Sequence, residues 1–519
     1  MSIYTKKKPD VAPAPGPVLE MSGITKRFGT VAANEDISIQ LARGEVLALL
    51  GENGAGKTTL MNILFGHYMP DTGRVSVNGR DLVLGRPRDA IRAGVGMVHQ
   101  HFTLAGNLTV LENVMTGTEP LFAPASHTRA ARRRLADLAE RFGLTVDPDA
   151  RVSDLSVGQQ QRVEILKALY NDATVLILDE PTAVLTRPEA ERLFTVLRGM
   201  AADGLSVIFI SHKLNEVIEG ADRVVVLRQG RVTAERATSE TTKDELAELM
   251  VGRRVERPRR TEAMRGAAMV RAEGVSVVTA GVTRLNAVDF SIHRGEVLGI
   301  IGVSGNGQTT LAHLLSGLVS PSTGTLTIAG QNSGRLSPRD LIAKGVARIP
   351  EDRNTEGAIG DFSLWQSAVL ERLGESRFAQ WGIVRAGAAR EFCAQVIERF
   401  DVRGGTPDTA TRLLSGGNMQ NLIFGRNLID GPKVLIAAQP TRGLDEGAIA
   451  AVHGEILAAR AAGCAVLLIS EDLDEVLALA DRAQAIFGGR LSPPVATDTL
   501  DARRLGLMMA GEWDVTDAA

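Results

Sequence analysis

The chain has 519 residues, of which 58 are basic, 61 are acidic and 44% are hydrophobic. This length is too great for one hydrophobic core, so about two to four domains are expected. The balanced charge gives no global footprint for nucleic acid, and two cysteines are too few for a disulfide framework. No apolar run approaches the roughly 20 residues that a membrane helix needs.

The N-terminal 17 residues contain prolines and the basic run Lys6 to Lys8, with no apolar segment behind it. We expect residues 1–17 to be a disordered tail and not a secretory signal. Strands, Gly-rich loops and helices then alternate over residues 18–250, which is typical of an α/β domain with a parallel sheet.

The segment VLALLGENGAGKTTL, from Val46 to Leu60, reads as a buried strand, a Gly-rich loop and the start of a helix. It fits the P-loop pattern, in which backbone N–H groups cradle phosphates. Lys57 is expected to reach the β- and γ-phosphates, and Thr58 to bind Mg²⁺. The predicted ATP-binding residues here are Gly51, Glu52, Asn53, Gly54, Ala55, Gly56, Lys57, Thr58 and Thr59.

Two further segments have polar residues suited to nucleotide chemistry. Gln100 follows the apolar strand Val95 to Val98 and is predicted to sense Mg²⁺ or water. The sequence LSVGQQQ begins at Leu155 and precedes a helical pattern. Its Ser156 and Gly158 would present a second helix N-terminus to phosphate.

The segment TVLILDE is an apolar strand that ends in two carboxylates. Asp179 is expected to bind the Mg²⁺ shell, and Glu180 to accept a proton from an attacking water. His212 follows the apolar run VIFIS and is predicted to contact the γ-phosphate. Phe28 is predicted to stack on adenine.

The first half of the chain is repeated in the second half. RGEVLALLGENGAGKTTL at Arg43 returns as RGEVLGIIGVSGNGQTTL at Arg294. The register is kept through each half, with one net insertion of eight residues between Glu351 and Ser415. The chain is therefore a tandem duplication, with a linker at 251–268 and a second domain at 269–513. The basic stretch Val251 to Arg260 of the linker is expected to be solvated, with a surface near anionic lipid headgroups as the alternative.

The second copy keeps the phosphate-loop glycines Gly302, Gly305 and Gly307, together with Thr309, but loses the chemical groups. The replacements are Gln308 for Lys57, Glu351 for Gln100, Ala438 for Asp179, Gln439 for Glu180 and Glu471 for His212. A neutral amide in place of Lys57 loses a charge-assisted contact.

These motifs resemble the ATP-binding subunit of an ABC importer with two fused nucleotide-binding domains, and the match spans residues 18 to 513. The family's signature motif stands as LSGGN at Leu414 to Asn418 and as LSVGQ at Leu155 to Gln159. The resemblance implies an α/β fold of tandem P-loop NTPase (ABC ATPase) domains. Each would have a RecA-like mixed sheet core and a helical subdomain.

In that family the two domains form a head-to-tail sandwich, with each ATP between the P-loop of one domain and the signature of the other. Site one would thus combine the P-loop, Gln100, Asp179, Glu180 and His212 with Ser415, Gly416, Gly417 and Asp445. The degenerate second site would combine Gln308, Glu351, Gln439 and Glu471 with Ser156 and Gly158, and with Thr186 in place of Asp445. ATP and Mg²⁺ are the expected cofactors, with hydrolysis at site one.

The resemblance also implies partners: two integral-membrane permease subunits, an extracytoplasmic substrate-binding protein and no nucleic acid. The chain would be peripheral, on the cytoplasmic face of the inner membrane. The segments His101 to Val114 and Asp352 to Val369 are predicted to form grooves for the permeases' coupling helices. The alternative is a surface helical subdomain that packs on itself.

The segments Met97 to Val114 and Glu164 to Thr186 look like the nucleoside branch of this group. A nucleoside importer is therefore favoured, with a simple-sugar importer (ribose-, xylose- or galactose-like) as the alternative. A soluble fused ABC ATPase acting on ribosomes is the alternative from another class. The short linker and the second half's missing base argue against it.

Overall fold

The apolar runs that the sequence assigns to buried strands form the centre of two units, Met1–Val255 and Glu256–Ala519. The structure is a computed structural model. It describes residues 16–29, 31–99, 102–118, 127–182, 185, 187–254, 258–261, 265–332 and 336–513.

The strands described in the first unit are β1 (Leu19–Phe28), β2 (Val31–Leu41), β3 (Val46–Leu50), β4 (Thr72–Val77), β5 (Arg80–Asp81), β6 (Val95–Val98), β7 (Val175–Asp179), β8 (Ser206–Ser211), β9 (Arg223–Arg228) and β10 (Arg231–Ala237). Its helices are α1 (Lys57–Phe65), α2 (Pro87–Arg92), α3 (Val110–Met115), α4 (Thr128–Arg141), α5 (Val157–Tyr170), α6 (Arg187–Ala202), α7 (Leu214–Gly220) and α8 (Lys243–Val251).

The main sheet of the first unit has the strand order β10-β9-β3-β8-β7-β6. Strands β9, β3, β8, β7 and β6 pair in parallel, and β10 pairs with β9 in the antiparallel sense. Strand β3 is buried on both faces: Val46, Ala48 and Leu50 pack into one core cluster, and Leu47 and Leu49 into another. Burial on both faces explains why this strand is continuously apolar.

A second, antiparallel sheet of the first unit has the order β2-β1-β4-β5. Helices α3, α4 and α5 contact one another and share a core cluster with one face of the main sheet. The unit thus combines a mixed sheet core with a helical subdomain, and the fold expected from the sequence is confirmed.

The strands described in the second unit are β11 (Ala268–Thr279), β12 (Val282–His293), β13 (Val297–Ile301), β14 (Thr323–Ile328), β15 (Gln331–Asn332), β16 (Val346–Ile349), β17 (Ala379–Gln380), β18 (Ile383–Val384), β19 (Val434–Ala438), β20 (Ala465–Ser470), β21 (Arg482–Phe487), β22 (Arg490–Leu491) and β23 (Val495–Ala496). Its helices are α9 (Gln308–Leu315), α10 (Pro338–Ala343), α11 (Leu364–Val369), α12 (Ala386–Arg399), α13 (Gly416–Leu428), α14 (Glu446–Ala461), α15 (Leu473–Leu479) and α16 (Ala502–Met509).

The second unit repeats the topology of the first. Its main sheet has the order β16-β19-β20-β13-β21-β22, and its antiparallel sheet has the order β12-β11-β14-β15. Strands β17 and β18 form a separate two-stranded hairpin between α11 and α12. The hairpin lies in the interval where the repeat requires an eight-residue insertion.

The linker expected at 251–268 is not solvated at Arg260. The Arg260 side chain is only 17% exposed, and its guanidinium donates to the backbone oxygen of Ala480 and, at 2.5 Å, to the hydroxyl of Thr497. The buried Arg460 guanidinium donates to the backbone oxygen of Thr261 at 2.9 Å. Solvation is therefore the wrong expectation here, because the second unit supplies specific acceptors for this part of the linker.

Among the described helices, none combines the length and the apolar character that crossing a bilayer requires.

Candidate functional site

The P-loop joins the end of β3 to the start of α1, as the sequence predicts. Gly56 occupies the position before the helix with φ of 99°, in the left-handed region. A Cβ at Gly56 would lie 2.2 Å from the backbone oxygen of Ala33, so only glycine fits. The loop thereby brings backbone N–H groups to the positive end of the α1 dipole, which suits a bound phosphate.

Lys57 is buried at the start of α1, with 6% of its surface exposed. Its ammonium donates to the backbone oxygens of Gly51 at 2.6 Å and Glu52 at 2.9 Å. Thr58 follows on the first turn with an exposed side chain. A cation and a hydroxyl are thus placed beside the loop, as phosphate and Mg²⁺ binding require.

The order of three parallel strands brings the other predicted residues to this loop. Strand β8 lies between β3 and β7, with Leu50 opposite Ser211 and Asp179 opposite Ile210. The P-loop, the Asp179–Glu180 pair and His212 follow the carboxyl ends of these strands. In open α/β sheets this edge is where ligands bind.

Asp179 is buried, with 6% of its surface exposed. Burial, reinforced by the negative charge of Glu180, raises the pKa of Asp179 to about 6, although Lys57 opposes this effect. The Asp179 carboxylate and the Thr58 hydroxyl are hard oxygen ligands of the kind that Mg²⁺ prefers. The residues present therefore fit a magnesium ion, which Thr58 and Asp179 would hold.

Glu180 contacts the imidazole of His212, with 3.1 Å between Oε1 and Nδ1. A hydrogen bond from His212 holds the pKa of Glu180 below its usual value, although burial acts in the opposite sense. An ionised carboxylate only accepts, so Nδ1 carries the proton in this pair. Glu180 is thereby kept ionised and oriented, the state that a general base requires.

The backbone at Glu180 also has a special conformation, with φ of 47°. Its N–H donates to the backbone oxygen of Ile210 at 3.1 Å. Gln439, the corresponding residue of the second unit, has the same φ of 47°, and its N–H donates to Ile469 at 2.8 Å. The second unit thus keeps the backbone of this site while lacking its carboxylate.

Asp179→Asn is expected to stabilise the nucleotide- and metal-free protein at pH 8 but not at pH 4. The folded pKa of about 6 lies above the ordinary aspartate pKa of 3.8, so the stability due to the protonated carboxyl is present below pH 4 and is lost as pH rises through about 6. The gain at pH 8 should be about 2–3 kcal/mol. Urea denaturation at both pH values measures it. Asp137→Asn, at an exposed position on α4, is the control and should show no such gain; equal gains for both variants would contradict the assignment.

The second unit's P-loop keeps its shape but carries an amide. Gln308 is 7% exposed, and its Nε2 donates to the backbone oxygen of Val303 at 2.8 Å. Thr309 is exposed on the first turn of α9, as Thr58 is on α1. The buried Ala438 replaces the carboxylate of Asp179, so the donor set for a magnesium ion is incomplete.

Two acidic substitutions of the second unit have other partners. Glu351 accepts from Arg442 at 2.6 Å, and the side-chain oxygen of Gln439 accepts from the backbone N–H of Glu471 at 3.3 Å. Glu351 is therefore in an ion pair with Arg442, and the backbone of Glu471 lies beside the side-chain amide of Gln439. Neither arrangement supplies the Glu–His pair of the first unit.

The signature serines cap the helices expected from the sequence. Ser156 caps α5 with a reciprocal contact to Gln159, and the Ser415 hydroxyl accepts from the N–H of Asn418 at 3.4 Å at the start of α13. Asp445 caps α14 through the N–H of Ala448 at 3.0 Å. Gly158 lies in the first turn of α5, and Gly416 and Gly417 lie in that of α13. Gln100 and Thr186 lie outside the described residues.

Phe28 lies at the end of β1, with 46% of its surface exposed. Its ring contacts the edge of Tyr68, with 5.5 Å between centroids, and the Lys26 ammonium lies 5.5 Å from its centre. The exposed ring is available for stacking. Tyr68 was missed from the sequence, because its proximity depends on the turn after α1 folding back beside β1.

A pair of buried glutamines was also missed. Gln161 donates to the backbone oxygen of Pro181 at 2.6 Å, and Gln420 donates to that of Pro440 at 2.8 Å. Each bond ties the signature helix to the residue after the Asp179–Glu180 pair or its counterpart. The repeat register, which relates Gln161 to Gln420 and Pro181 to Pro440, was a signal that could have found them.

A sequence profile of the family described as "ABC transporter" matches residues 34–183 and 285–442. The chain belongs to the ABC transporter family. It contains two ABC ATP-binding domains and is therefore an ABC-type ATPase. The profile covers the P-loop and the Asp179–Glu180 pair of the first unit, and the corresponding segments of the second.

Three relatives resemble this ABC protein over nearly its whole length. The glucose import ATP-binding protein TsgD13 of Haloferax volcanii is 44% identical, over 97% of this chain and 97% of its own. The guanosine import ATP-binding protein NupO of Bacillus subtilis is 42% identical, over 95% and 97%. The ribose import ATP-binding protein RbsA 1 of Burkholderia thailandensis is 40% identical, over 93% and 96%.

A solved complex of an archaeal ribosome recycling factor, aABCE1, with the ribosomal stalk protein aP1 resembles the fold of this ABC protein. The TM-score is 0.63 with 19% identity, over 94% of this chain and 92% of the other. At this identity the likeness concerns the fold alone.

Proposed function

We propose that this protein is the ATP-hydrolysing, energy-coupling subunit of an ABC importer, with one competent and one degenerate ATP site. One observation carries the proposal: Lys57, the Asp179–Glu180 pair and His212 converge at the ends of three adjacent strands in the first unit. The corresponding residues of the second unit lack the ammonium, both carboxylates and the imidazole.

In the competent site, the P-loop N–H groups and Lys57 bind the phosphates of ATP. Thr58 and Asp179 hold Mg²⁺, which neutralises charge on the phosphates when bound. Glu180 takes the proton of the attacking water, and His212 keeps that carboxylate oriented. Phe28 stacks on adenine, and Gln100 completes the set as the residue that senses Mg²⁺ or water.

The family resemblance supports a composite site, in which the P-loop of one domain and the signature motif of the other domain bind the same nucleotide. Ser415, Gly416, Gly417 and Asp445 then serve the Lys57 site. Ser156 and Gly158 serve the Gln308 site, which retains Gly302, Gly305, Gly307 and Thr309. With Ala438 and Gln439 in place of carboxylates, the second site holds nucleotide at most and does not hydrolyse it.

The partners in this proposal are two membrane permeases and an extracytoplasmic binding protein, which place the chain on the cytoplasmic face of the inner membrane. The relatives are named as import proteins for nucleosides or for sugars, for example guanosine and ribose. We favour nucleosides from the segments Met97 to Val114 and Glu164 to Thr186, with simple sugars as the alternative cargo.

Affinity purification from detergent-solubilised membranes tests the importer assignment. The expected result is co-purification of membrane subunits, together with loss of uptake of labelled guanosine when the gene is deleted. Loss of ribose uptake instead would select the sugar alternative. Co-purification of ribosomes without membrane subunits would contradict the importer assignment and favour the ribosome-acting class.

A further inference from the structure

The β17–β18 hairpin of the second unit exposes large apolar side chains at its tip. Trp381 is 92% exposed, Ile383 is 72% exposed and Val384 is 41% exposed. Tryptophan is a large side chain that is highly buried on average in folded proteins. Adjacent exposed apolar residues of this size form a patch of the kind that marks an interaction site.

The backbone conformation of the turn does not explain why residue 381 is a tryptophan. Trp381 has φ of 56° and Gly382 has φ of 79°, so both central residues lie in the left-handed region. Such two-residue turns favour Asn-Gly or Asp-Gly, because a bulky side chain is strained there. Neither burial nor backbone conformation therefore explains Trp381, and the remaining explanation is a contact outside the unit.

The base of the hairpin is firmly held. Phe378 is fully buried and contacts the edge of Phe392, with 5.1 Å between ring centroids. The N–H of Arg385 donates to the backbone oxygen of Phe378 at 2.8 Å, and the strands pair Ala379 with Val384. The tip is therefore presented on a well-packed base.

Arginines flank the hairpin. From Ser376 to Arg390 the chain contains three arginines and no acidic residue. Arg390 pairs with Asp408 at 2.9 Å. Arg377 lies over the ring of Phe378, and Arg385 donates to the side chain of Gln380. Within the described part of the chain, neither Arg377 nor Arg385 forms an ion pair with a carboxylate, so both charges remain available.

We propose that the β17–β18 hairpin is a lipid-contact element, which places Trp381 and Ile383 among the headgroups of an anionic membrane. Tryptophan is enriched at membrane interfaces, and basic side chains are attracted to anionic leaflets. Cytoplasmic loops of membrane proteins carry an excess of Lys and Arg. A hairpin flanked by unpaired arginines on the described surface, Arg377 and Arg385, therefore matches anionic lipid headgroups better than it matches such loops. The inference does not depend on the nucleotide sites.

Vesicle flotation of the full-length protein tests this inference. The wild type should float with vesicles of phosphatidylcholine containing about one third phosphatidylglycerol, and much less with phosphatidylcholine alone. Trp381→Asn combined with Ile383→Ser should reduce the bound fraction about tenfold. Asparagine suits the left-handed turn, so misfolding would not explain the loss. Val83→Ser, a matched exposed position that is 56% exposed in the first unit, should leave flotation unchanged.

Fluorescence supplies an independent readout, since the chain has only three tryptophans. In a Trp365→Phe and Trp513→Phe background, Trp381 emission should shift to the blue when anionic vesicles are added. Equal flotation of the wild type and the tip variant, or an unchanged emission spectrum, would overturn the inference. So would a tip variant that floats normally but no longer binds membrane subunits in detergent, which would assign the hairpin to a protein partner.

Discussion

Glu180→Gln is expected to reduce steady-state ATP hydrolysis by about 10²–10⁴-fold, because removing a general base typically costs this much. The amide keeps the shape of the side chain but cannot accept the proton of the attacking water. Glutamine keeps the oxygen Oε1, which lies 3.1 Å from Nδ1 of His212 in the wild type, so the contact with the imidazole can persist. The measurement is phosphate release at saturating ATP, with nucleotide binding measured separately and expected to persist.

The matched control for this prediction is Gln439→Glu in the second unit. Both positions have φ of 47°, so the new carboxylate would be placed on an equivalent backbone. Gln308 and Ala438 still leave that site without its ammonium and its metal-binding carboxylate. The control should therefore not create a second active site. Continued turnover by the Glu180→Gln protein, or recovery of its activity on adding Gln439→Glu, would contradict the assignment.

Ser415→Arg is expected to lower ATP hydrolysis by about 100-fold or more, although Ser415 and Lys57 belong to different units. In the proposed arrangement the signature of the second unit serves the competent site, so a bulky cation there would displace the γ-phosphate contact. Ser415 is exposed at the start of α13, where the longer side chain can be accommodated without disturbing the core. Phosphate release and nucleotide binding are again the measurements.

Ser156→Arg is the matched variant, because Ser156 caps α5 as Ser415 caps α13. It alters the signature assigned to the degenerate site, so hydrolysis should fall by only a small factor. Loss of activity in both variants to the same extent would contradict the assignment of signatures to sites. Loss in Ser156→Arg alone would require the opposite assignment.

Much of each unit could be predicted from local sequence pattern. The apolar runs at Val46–Leu50 and Val95–Val98 became strands with the predicted bounds, because burial on both faces requires continuous apolar residues. The position of the P-loop could also be predicted from its glycines, since the left-handed conformation before α1 excludes other residues. The site assignments at Glu180 and Ser415 are tested by the experiments above.

Other features depended on contacts between distant residues. Gln161 and Tyr68 lie in ordinary helical and loop sequence, and only their partners indicate a role. The sequence does not distinguish Arg260 from the other charges of the basic linker. The structure shows that it donates hydrogen bonds to Ala480 and Thr497. The exposed Trp381 lies between Glu351 and Ser415, where the repeat register shifts, so the repeat does not predict the hairpin.

The sequence by itself determined that this protein is a duplicated P-loop ATPase with its chemical groups concentrated in one half. Those conclusions rest on residue type and spacing, which the chain carries explicitly. Only the tertiary structure decided that β8 lies between β3 and β7, which brings Glu180 and His212 together and raises the pKa of Asp179. Strand order, burial and the resulting electrostatics arise from pairing between segments that are not adjacent in the chain, such as β3 with β8 and β7 with β8, and no local pattern encodes them.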